Sequence, residues 1–237
     1  MDVTIKGKKK NQDIRLTDDR LICENTEYLY GDISAIWVGG LFNPTLDVTY
    51  KGWHRAFKID KEEQENAKRA AEEVQNKIDE IVESFTFSAA EPKPLEEVFA
   101  FCKMHSLKSF DVSEKNFCSW FGRVMDRLDA DETVLLPFES TGFFKVTEKG
   151  IIMSMDQLIF AGAATDRRLV LCQGVVKDGK VKIVPYEEIE KVGIVDKGMM
   201  SDVFVKCRNE GDNVALKDVS HNLAKRLADV IQKNQES

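Results

Sequence analysis

One short pattern occurs twice in this chain and constrains its fold more than any other feature. An apolar segment leads into Thr-Asp-x-Arg and continues as a second apolar segment, first at Leu16–Cys23 and again at Ala164–Cys172. Threonine favours strand ends, and the aspartate side chain can accept hydrogen bonds from the N–H groups of a turn, so each copy predicts a tight β-hairpin. The repetition predicts two copies of one small β-rich unit.

The spacing around the hairpin is also repeated. Fourteen residues separate positions 3 and 17, and fourteen separate positions 151 and 165, which predicts that the strand near Ile151 corresponds to the first strand of the chain. After the hairpin, both copies carry Tyr-x-x-Ile-x-x-(Ile/Val), beginning at Tyr30 and at Tyr186. A turn sequence at 177–180 predicts a longer hairpin in the second copy.

Each copy then ends in a segment with the apolar period of an α-helix, at about 61–84 and 221–235. Residues 61–85 carry eight acidic and four basic side chains, so most of the net charge of −7 lies in the first of these helices. We expect the apolar stripe of each helix to cover the open end of its own β-sandwich. The first helix is long enough for its last turns to contact a partner helix as well.

A second pair of helices is predicted between the two copies. Residues 89–94 have the composition of a linker, and helical spacing of apolar residues follows from Leu95. Ser113 is a good N-cap for a further helix, whose apolar face carries Phe117, Trp120 and Phe121. The first copy has no counterpart to this helical pair, which is therefore a spacer, an interface, or both. Its three aromatic residues are a candidate interface.

The residue pattern resembles the bacterial pleckstrin-homology-like (PH-like) families. In those families a Thr-(Asn/Asp)-x-Arg-Leu hairpin precedes an (Ile/Val)-Pro-Tyr-x-x-Ile strand, and here Thr165–Leu169 and Val184–Ile189 match. The first copy is more diverged and lacks the proline, although its Gly39–Pro44 segment is similar to a loop of the family. The resemblance implies a binding or assembly module that often self-associates, and it implies no catalytic activity. Neither closing helix has the tryptophan usual in eukaryotic PH domains, so phosphoinositide binding is not implied.

Composition limits the function further. The chain has 237 residues, of which 43% are hydrophobic and 32% charged, as is typical of soluble globular proteins. We expect a cytoplasmic protein, because the sequence has no signal-like segment and no apolar run long enough to cross a membrane. Any attachment to a membrane is expected to be peripheral. Its five cysteines form no CxxC pair, which favours reduced thiols. The charge balance gives no support to nucleic-acid binding.

The dense basic cluster is a candidate loop for an anionic ligand. It comprises Lys6, Lys8, Lys9, Lys10 and Arg15, in the connection between the first two predicted strands. The corresponding part of the second copy lacks these lysines, so the fold does not require them. The alternative is an ordinary solvated loop.

Two loops carry paired apolar residues and are candidate contact loops. These are Leu41 with Phe42 in the first copy and Met199 with Met200 in the second. They predict a contact surface for protein or membrane, unless the side chains fold back onto their own sandwich.

No catalytic or metal-binding constellation stands out. Cys102 and His105 have a helical spacing that could bind a metal, but a packed thiol beside a surface histidine is the simpler interpretation. We find no nucleophile elbow and no phosphate-binding glycine loop. The sequence therefore predicts no cofactor and no metal.

Taken together, the sequence predicts an α+β, mainly β protein. Two PH-like β-sandwiches or barrels at 1–85 and 131–237, each closed by a C-terminal helix, are joined by a helical hairpin at 86–130. The predicted function is non-enzymatic: protein–protein contact or self-association. The alternative is peripheral binding to an anionic membrane through Lys6–Lys10, assisted by the loop at Phe42.

Overall fold

The computed structural model describes residues 1–9, 12–40, 42–105, 112–144, 146–147, 150–151, 158–173, 181–197 and 200–235. The chain divides into two compact units, Met1–Ser84 (unit 1) and Phe85–Ser237 (unit 2). Within the described residues the protein is mainly β with four α-helices, which confirms the predicted α+β class, and the sheets do not close into barrels. No helix in this part of the chain is long and apolar enough to cross a membrane.

Unit 1 consists of two antiparallel sheets and one helix. The first sheet contains β1 (Val3–Ile5), β2 (Ile14–Leu16), β3 (Arg20–Cys23) and β4 (Thr26–Leu29) in that order. The second contains β5 (Ile33–Gly39), β6 (Thr45–Tyr50) and β7 (Trp53–Lys58), and helix α1 (Gln64–Ser84) follows. Both sheets contribute buried side chains to one core with the apolar stripe of α1, including Leu16, Val48 and Val74.

Unit 2 is larger and begins with a short strand and two helices. These are β8 (Phe87–Ser88), α2 (Leu95–His105) and α3 (Glu114–Met125). The strands that follow are β9 (Thr133–Phe144), β10 (Val146–Thr147), β11 (Gly150–Ile151), β12 (Leu158–Thr165), β13 (Arg168–Gln173), β14 (Val181–Pro185), β15 (Ile189–Asp196), β16 (Met200–Cys207) and β17 (Val214–Ser220). Helix α4 (His221–Gln235) completes the unit. The main sheet has the order β14-β13-β12-β9-β17-β16-β15, with β8 paired to β9.

The repeated Thr-Asp-x-Arg pattern forms a hairpin in both units, and the same hydrogen bonds hold it. The hydroxyl of Thr17 donates to the carbonyl of Arg20 at 3.1 Å, and that of Thr165 donates to Arg168 at 3.0 Å. A buried tyrosine then donates its hydroxyl to the threonine carbonyl, at 3.0 Å in unit 1 and at 2.7 Å in unit 2. The repeated pattern is therefore a structural device that fixes the hairpin against the following turn.

The next strands also correspond in register. Strand β5 pairs with β6, and β15 with β16, and each pairing has an irregularity directly after its first residue pair, at Ile33 and at Ile189. Each closing helix bonds to the start of this second set of strands. Gln75 of α1 accepts from the N–H of Ile36 at 3.0 Å, and Gln235 of α4 donates to the carbonyl of Ile189 at 2.6 Å.

The prediction that the segment near Ile151 forms the first strand of the second copy is wrong. In unit 1, β2 pairs with β1, so that Val3 lies opposite Leu16. In unit 2 the equivalent partner of β12 is β9, with Leu136 opposite Ala164, whereas Ile151 belongs to the separate two-stranded sheet β10–β11. The equal spacing of fourteen residues was coincidental, because β9 lies much further from the hairpin than β1 does. The predicted turn at 177–180 lies outside the described residues.

The predicted helical hairpin packs on unit 2. Helix α3 lies against β12 and β13, and α2 lies against β9. Residues 161–165 of β12 and 169–172 of β13 are buried at every position, whereas burial alternates along β3 of unit 1. Strands buried on both faces read as continuous apolar runs, so α3 explains why residues 169–172 of β13 are all apolar.

This packing corrects the candidate interface on α3. Phe117 and Phe121 are fully buried and stack on each other, with ring centroids 5.5 Å apart. They belong to the core of unit 2, because the outer face of β12 offers small side chains that leave room for aromatic rings. Of the three aromatic residues predicted to form an interface, Trp120 is partly exposed.

Candidate functional site

Three segments of unit 1 meet at one end of its sandwich, which we call the Lys8–Phe42 end (residues 6–9, 42–44 and 58–60). Gly7 forms an isolated antiparallel bridge with Ile59. The backbone N–H of Lys8 donates to the carbonyl of Lys58 at 3.0 Å, and that of Ile59 donates to the carbonyl of Pro44 at 3.1 Å. The basic loop, the β5–β6 loop and the segment after β7 are therefore bonded to one another.

A side-chain contact joins the two loops that the sequence singled out separately. The ammonium group of Lys8 donates to the side-chain oxygen of Asn43 at 2.9 Å. The neighbouring Phe42 is 82% exposed, the largest value among the exposed large hydrophobic residues of the described chain. Its partner in the prediction, Leu41, lies outside the described residues.

The local backbone explains how Phe42 is presented. Gly40 has a φ of +78°, a region that other residues adopt only with strain, and a Cβ atom there would lie 2.2 Å from the carbonyl oxygen of Asn43. The turn therefore depends on glycine at this position.

The basic residues of the predicted cluster do not all belong to this end. Lys6, Lys8 and Lys9 are exposed, and Lys10 lies outside the described residues. Arg15 is instead held by the carboxylate of Asp2, with two hydrogen bonds of 2.9 and 2.8 Å. This bidentate contact raises the pKa of Arg15 and lowers that of Asp2, so Arg15 is part of the strand surface and not of the loop.

Acidic groups lie close to these lysines. The carboxylate of Asp13 accepts from the backbone N–H of Gly7 at 3.1 Å, and Asp60 is exposed beside Lys58. The end is therefore a mixed-charge surface around one protruding aromatic ring. Mixed charge around an apolar centre is the usual composition of a protein contact surface.

The equivalent loop of unit 2 is only partly described. Met199 lies outside the described residues, and Met200 is partly buried at the start of β16.

The motif arginines have structural partners. In unit 2, Arg168 binds the fully buried carboxylate of Glu132 with contacts of 3.0 and 2.6 Å. The Thr165 hydroxyl lies 2.7 Å from the same carboxylate, so its one proton is divided between this acceptor and the Arg168 carbonyl. In unit 1 the corresponding Arg20 binds the exposed Asp19 and Glu27. Both arginines thus brace the hairpin.

The thiol predicted to be packed is buried. Cys102 is 2% exposed, and burial raises its pKa well above the ordinary value of a thiol. The side chain of His105 lies outside what the structure describes. Among the described residues, no group of three or more histidine, cysteine and acidic side chains could hold a metal ion.

A cluster that the sequence did not single out lies on the outer face of β5–β6–β7. Asp47 is only 6% exposed, yet its carboxylate accepts from the Thr45 hydroxyl at 2.6 Å and contacts the His54 Nε2 atom at 2.7 Å. The ring of Trp37 stacks on that of His54, with centroids 5.7 Å apart and planes 19° apart. Pairing across β6 brings these residues together, because Asp47 lies opposite Trp37 and Thr49 lies opposite His54.

Comparison with known proteins identifies the second half of the chain. No curated protein matches the sequence. Residues 128–233 match the model of the family described as bacterial PH domain, and this match runs from just before β9 to the last turns of α4. The C-terminal region of the chain is therefore a PH-like domain.

Proposed function

We propose that the chain is a tandem pair of PH-like domains in which unit 1 is the diverged copy. The support is the repeated hairpin, which in both units has a threonine hydroxyl bonded across the turn and a buried tyrosine bonded to the threonine carbonyl. The matching irregularity after Ile33 and Ile189 supports the same conclusion. In this proposal α2 and α3 are an addition to the second copy.

We further propose that the protein is a non-enzymatic binding protein that contacts protein through the Lys8–Phe42 end, and that a second copy of the chain is the partner. The observation that carries this proposal is the exposure of Phe42, 82%, on a loop fixed by Gly40 and by the Lys8–Asn43 contact. Fully burying a side chain of this size stabilises a contact by about 1.5–3 kcal/mol. Interfaces are enriched in such aromatic anchors.

Size-exclusion chromatography with light scattering tests this proposal. The chain has a mass of 26.9 kDa, and the wild-type protein is expected to exceed that mass increasingly as its concentration rises. Phe42→Ser should return the mass to that of the monomer. Trp53→Ser is the matched control, because Trp53 is 58% exposed at the β6–β7 turn, the other end of the same strands. A strictly monomeric wild type, or equal effects of the two substitutions, would reject self-association through this end.

A second candidate function is peripheral binding to an anionic membrane, and the Lys8–Asn43 contact favours it specifically. That contact places the exposed Lys8 at Asn43, directly after the exposed Phe42. Basic residues attract anionic lipid at about 1 kcal/mol each, and the phenyl ring can enter the interface.

Vesicle sedimentation separates the two candidates. Binding to phosphatidylserine vesicles should weaken with added salt and with joint Lys6→Ala, Lys8→Ala and Lys9→Ala substitutions. Absent or salt-independent binding would exclude the membrane function and leave the protein-contact function untouched.

A further inference from the structure

We propose that Trp37, Asp47 and His54 form a recognition site for an arginine side chain of a basic partner segment. The site lies on the outer face of the second sheet of unit 1, where it borders the Lys8–Phe42 end at Lys58, and none of its three residues belongs to that end. It therefore goes beyond the proposed contact at Phe42 and does not depend on it.

The arrangement of hydrogen bonds defines what the site presents. Both oxygens of the Asp47 carboxylate accept, one from Thr45 and one from His54. In a neutral His54 ring that donates from Nε2 to Asp47, Nδ1 is the acceptor. Within the described residues no side chain or backbone group bonds to this Nδ1 atom, and the His54 side chain is 38% exposed.

The fold does not require this cluster. At the equivalent positions of β15 and β16, the second unit has Gly193 in place of Trp37 and Phe204 in place of Asp47. A carboxylate with only 8% of its side chain exposed loses much of its hydration, which disfavours it unless its hydrogen bonds or a ligand compensate. Unit 2 lacks this energetically unfavourable carboxylate, which suggests that Asp47 has a role other than stabilising the fold.

Gly39 is adapted to this carboxylate. A Cβ atom on Gly39 would lie 2.5 Å from Oδ2 of Asp47. Glycine thus leaves the space that allows the carboxylate to sit flat against β5.

The chemistry of the site favours a planar cation. The Asp47 carboxylate is hydrogen-bonded to Nε2 of the His54 ring, and the ring planes of Trp37 and His54 are nearly parallel. A guanidinium group can stack on such rings while it donates in its own plane, whereas an ammonium group lacks the flat face.

A basic residue lies at the edge of the site. Lys58, opposite Thr45 on β6, limits the site on one side and repels a cation there.

An NMR titration of the full-length protein with N-acetyl-arginine methylamide tests the site. The indole N–H signal of Trp37 and the ring signals of His54 should shift and saturate. The lysine analogue should bind several-fold more weakly, and the uncharged citrulline analogue, which has nearly the same shape, should not bind.

Variants make the outcome decisive. Asp47→Asn keeps the shape and should raise the dissociation constant about tenfold or more, because a charge-assisted contact is lost. His54→Gln, on a half-exposed side chain, should also weaken binding, and Lys58→Ala should strengthen it. Equal shifts with citrulline, or wild-type affinity in Asp47→Asn and His54→Gln proteins that melt normally, would overturn the proposal. Phe42→Ser should leave the titration unchanged, so failure here is distinguishable from failure of the Phe42 contact.

Discussion

Replacing Glu132 by glutamine should destabilise unit 2 strongly, although the change removes only a charge. The Glu132 side chain is fully buried, and its carboxylate binds Arg168 in a bidentate manner, accepts from Thr165 and accepts from the backbone N–H of Asp129. Breaking a buried ion pair by removing one partner costs about 3–5 kcal/mol. Because 20% of the Arg168 side chain is exposed and can be hydrated, we expect a loss of about 2–3 kcal/mol at neutral pH.

The same contact should depend on pH. Hydrogen bonds from Arg168 and Thr165 outweigh burial and lower the pKa of Glu132. A carboxyl group whose pKa is lowered by folding contributes its stability above its unfolded-state pKa and loses it as pH falls through the folded-state value. The difference in unfolding free energy between wild type and Glu132→Gln should therefore be complete at pH 7. It should shrink as the pH falls below the ordinary pKa of a glutamate.

Urea denaturation followed by circular dichroism measures both effects. The midpoint should fall in Glu132→Gln with little change in the slope. Glu27→Gln is the matched control, because Glu27 binds the corresponding arginine of unit 1 with 55% of its side chain exposed, and exposed pairs contribute little. A loss in Glu132→Gln no larger than in Glu27→Gln, or one that grows in acid, would refute the reasoning.

Three further predictions concern single positions. Gly40→Ala should lower the free energy of unfolding by about 1–2 kcal/mol in thermal or urea melts, because Gly40 has a φ of +78°; an unchanged stability would show that the loop does not need glycine. Ser113→Ala should cost about 1 kcal/mol by removing the N-cap bond to Asn116, and a stable variant would contradict that cap. In a thiol-reagent assay on the native protein, the partly exposed Cys118 should react first; simultaneous reaction of all five thiols would contradict the burial of the other four.

Local patterns predicted those parts of the fold that depend on neighbouring residues. The hairpins at Thr17 and Thr165 follow from turn chemistry, and α1 and α4 follow from the helical period of their apolar residues. The partner of β12 could not be found in this way, because β9 is separated from it by the β10–β11 hairpin. Strand pairing over such distances depends on tertiary packing and leaves little trace in local spacing.

Two features were missed although the sequence carried a signal for each. The unbroken apolar run of β13 indicated a strand covered on both faces, and therefore that α3 packs on it instead of presenting Phe117 and Phe121 to a partner. The turn at Lys51–Gly52, with both φ angles positive, fixes the β6–β7 register and so brings His54 next to Asp47. The exposure of Phe42 and the Lys8–Asn43 contact had no such signal, because they depend on how separate loops pack.

Removing the repeated tyrosine hydroxyls tests most directly the central claim that the chain contains two copies of one fold. Tyr30→Phe and Tyr186→Phe each delete one hydrogen bond to a hairpin threonine carbonyl from a side chain that is 2% exposed. Each should lower the unfolding free energy of its own unit by about 1 kcal/mol, measured by urea denaturation followed through the tryptophans of unit 1 (Trp37, Trp53) and of unit 2 (Trp120). Similar losses in the two units are predicted. A loss in Tyr186→Phe with none in Tyr30→Phe would contradict the shared fold.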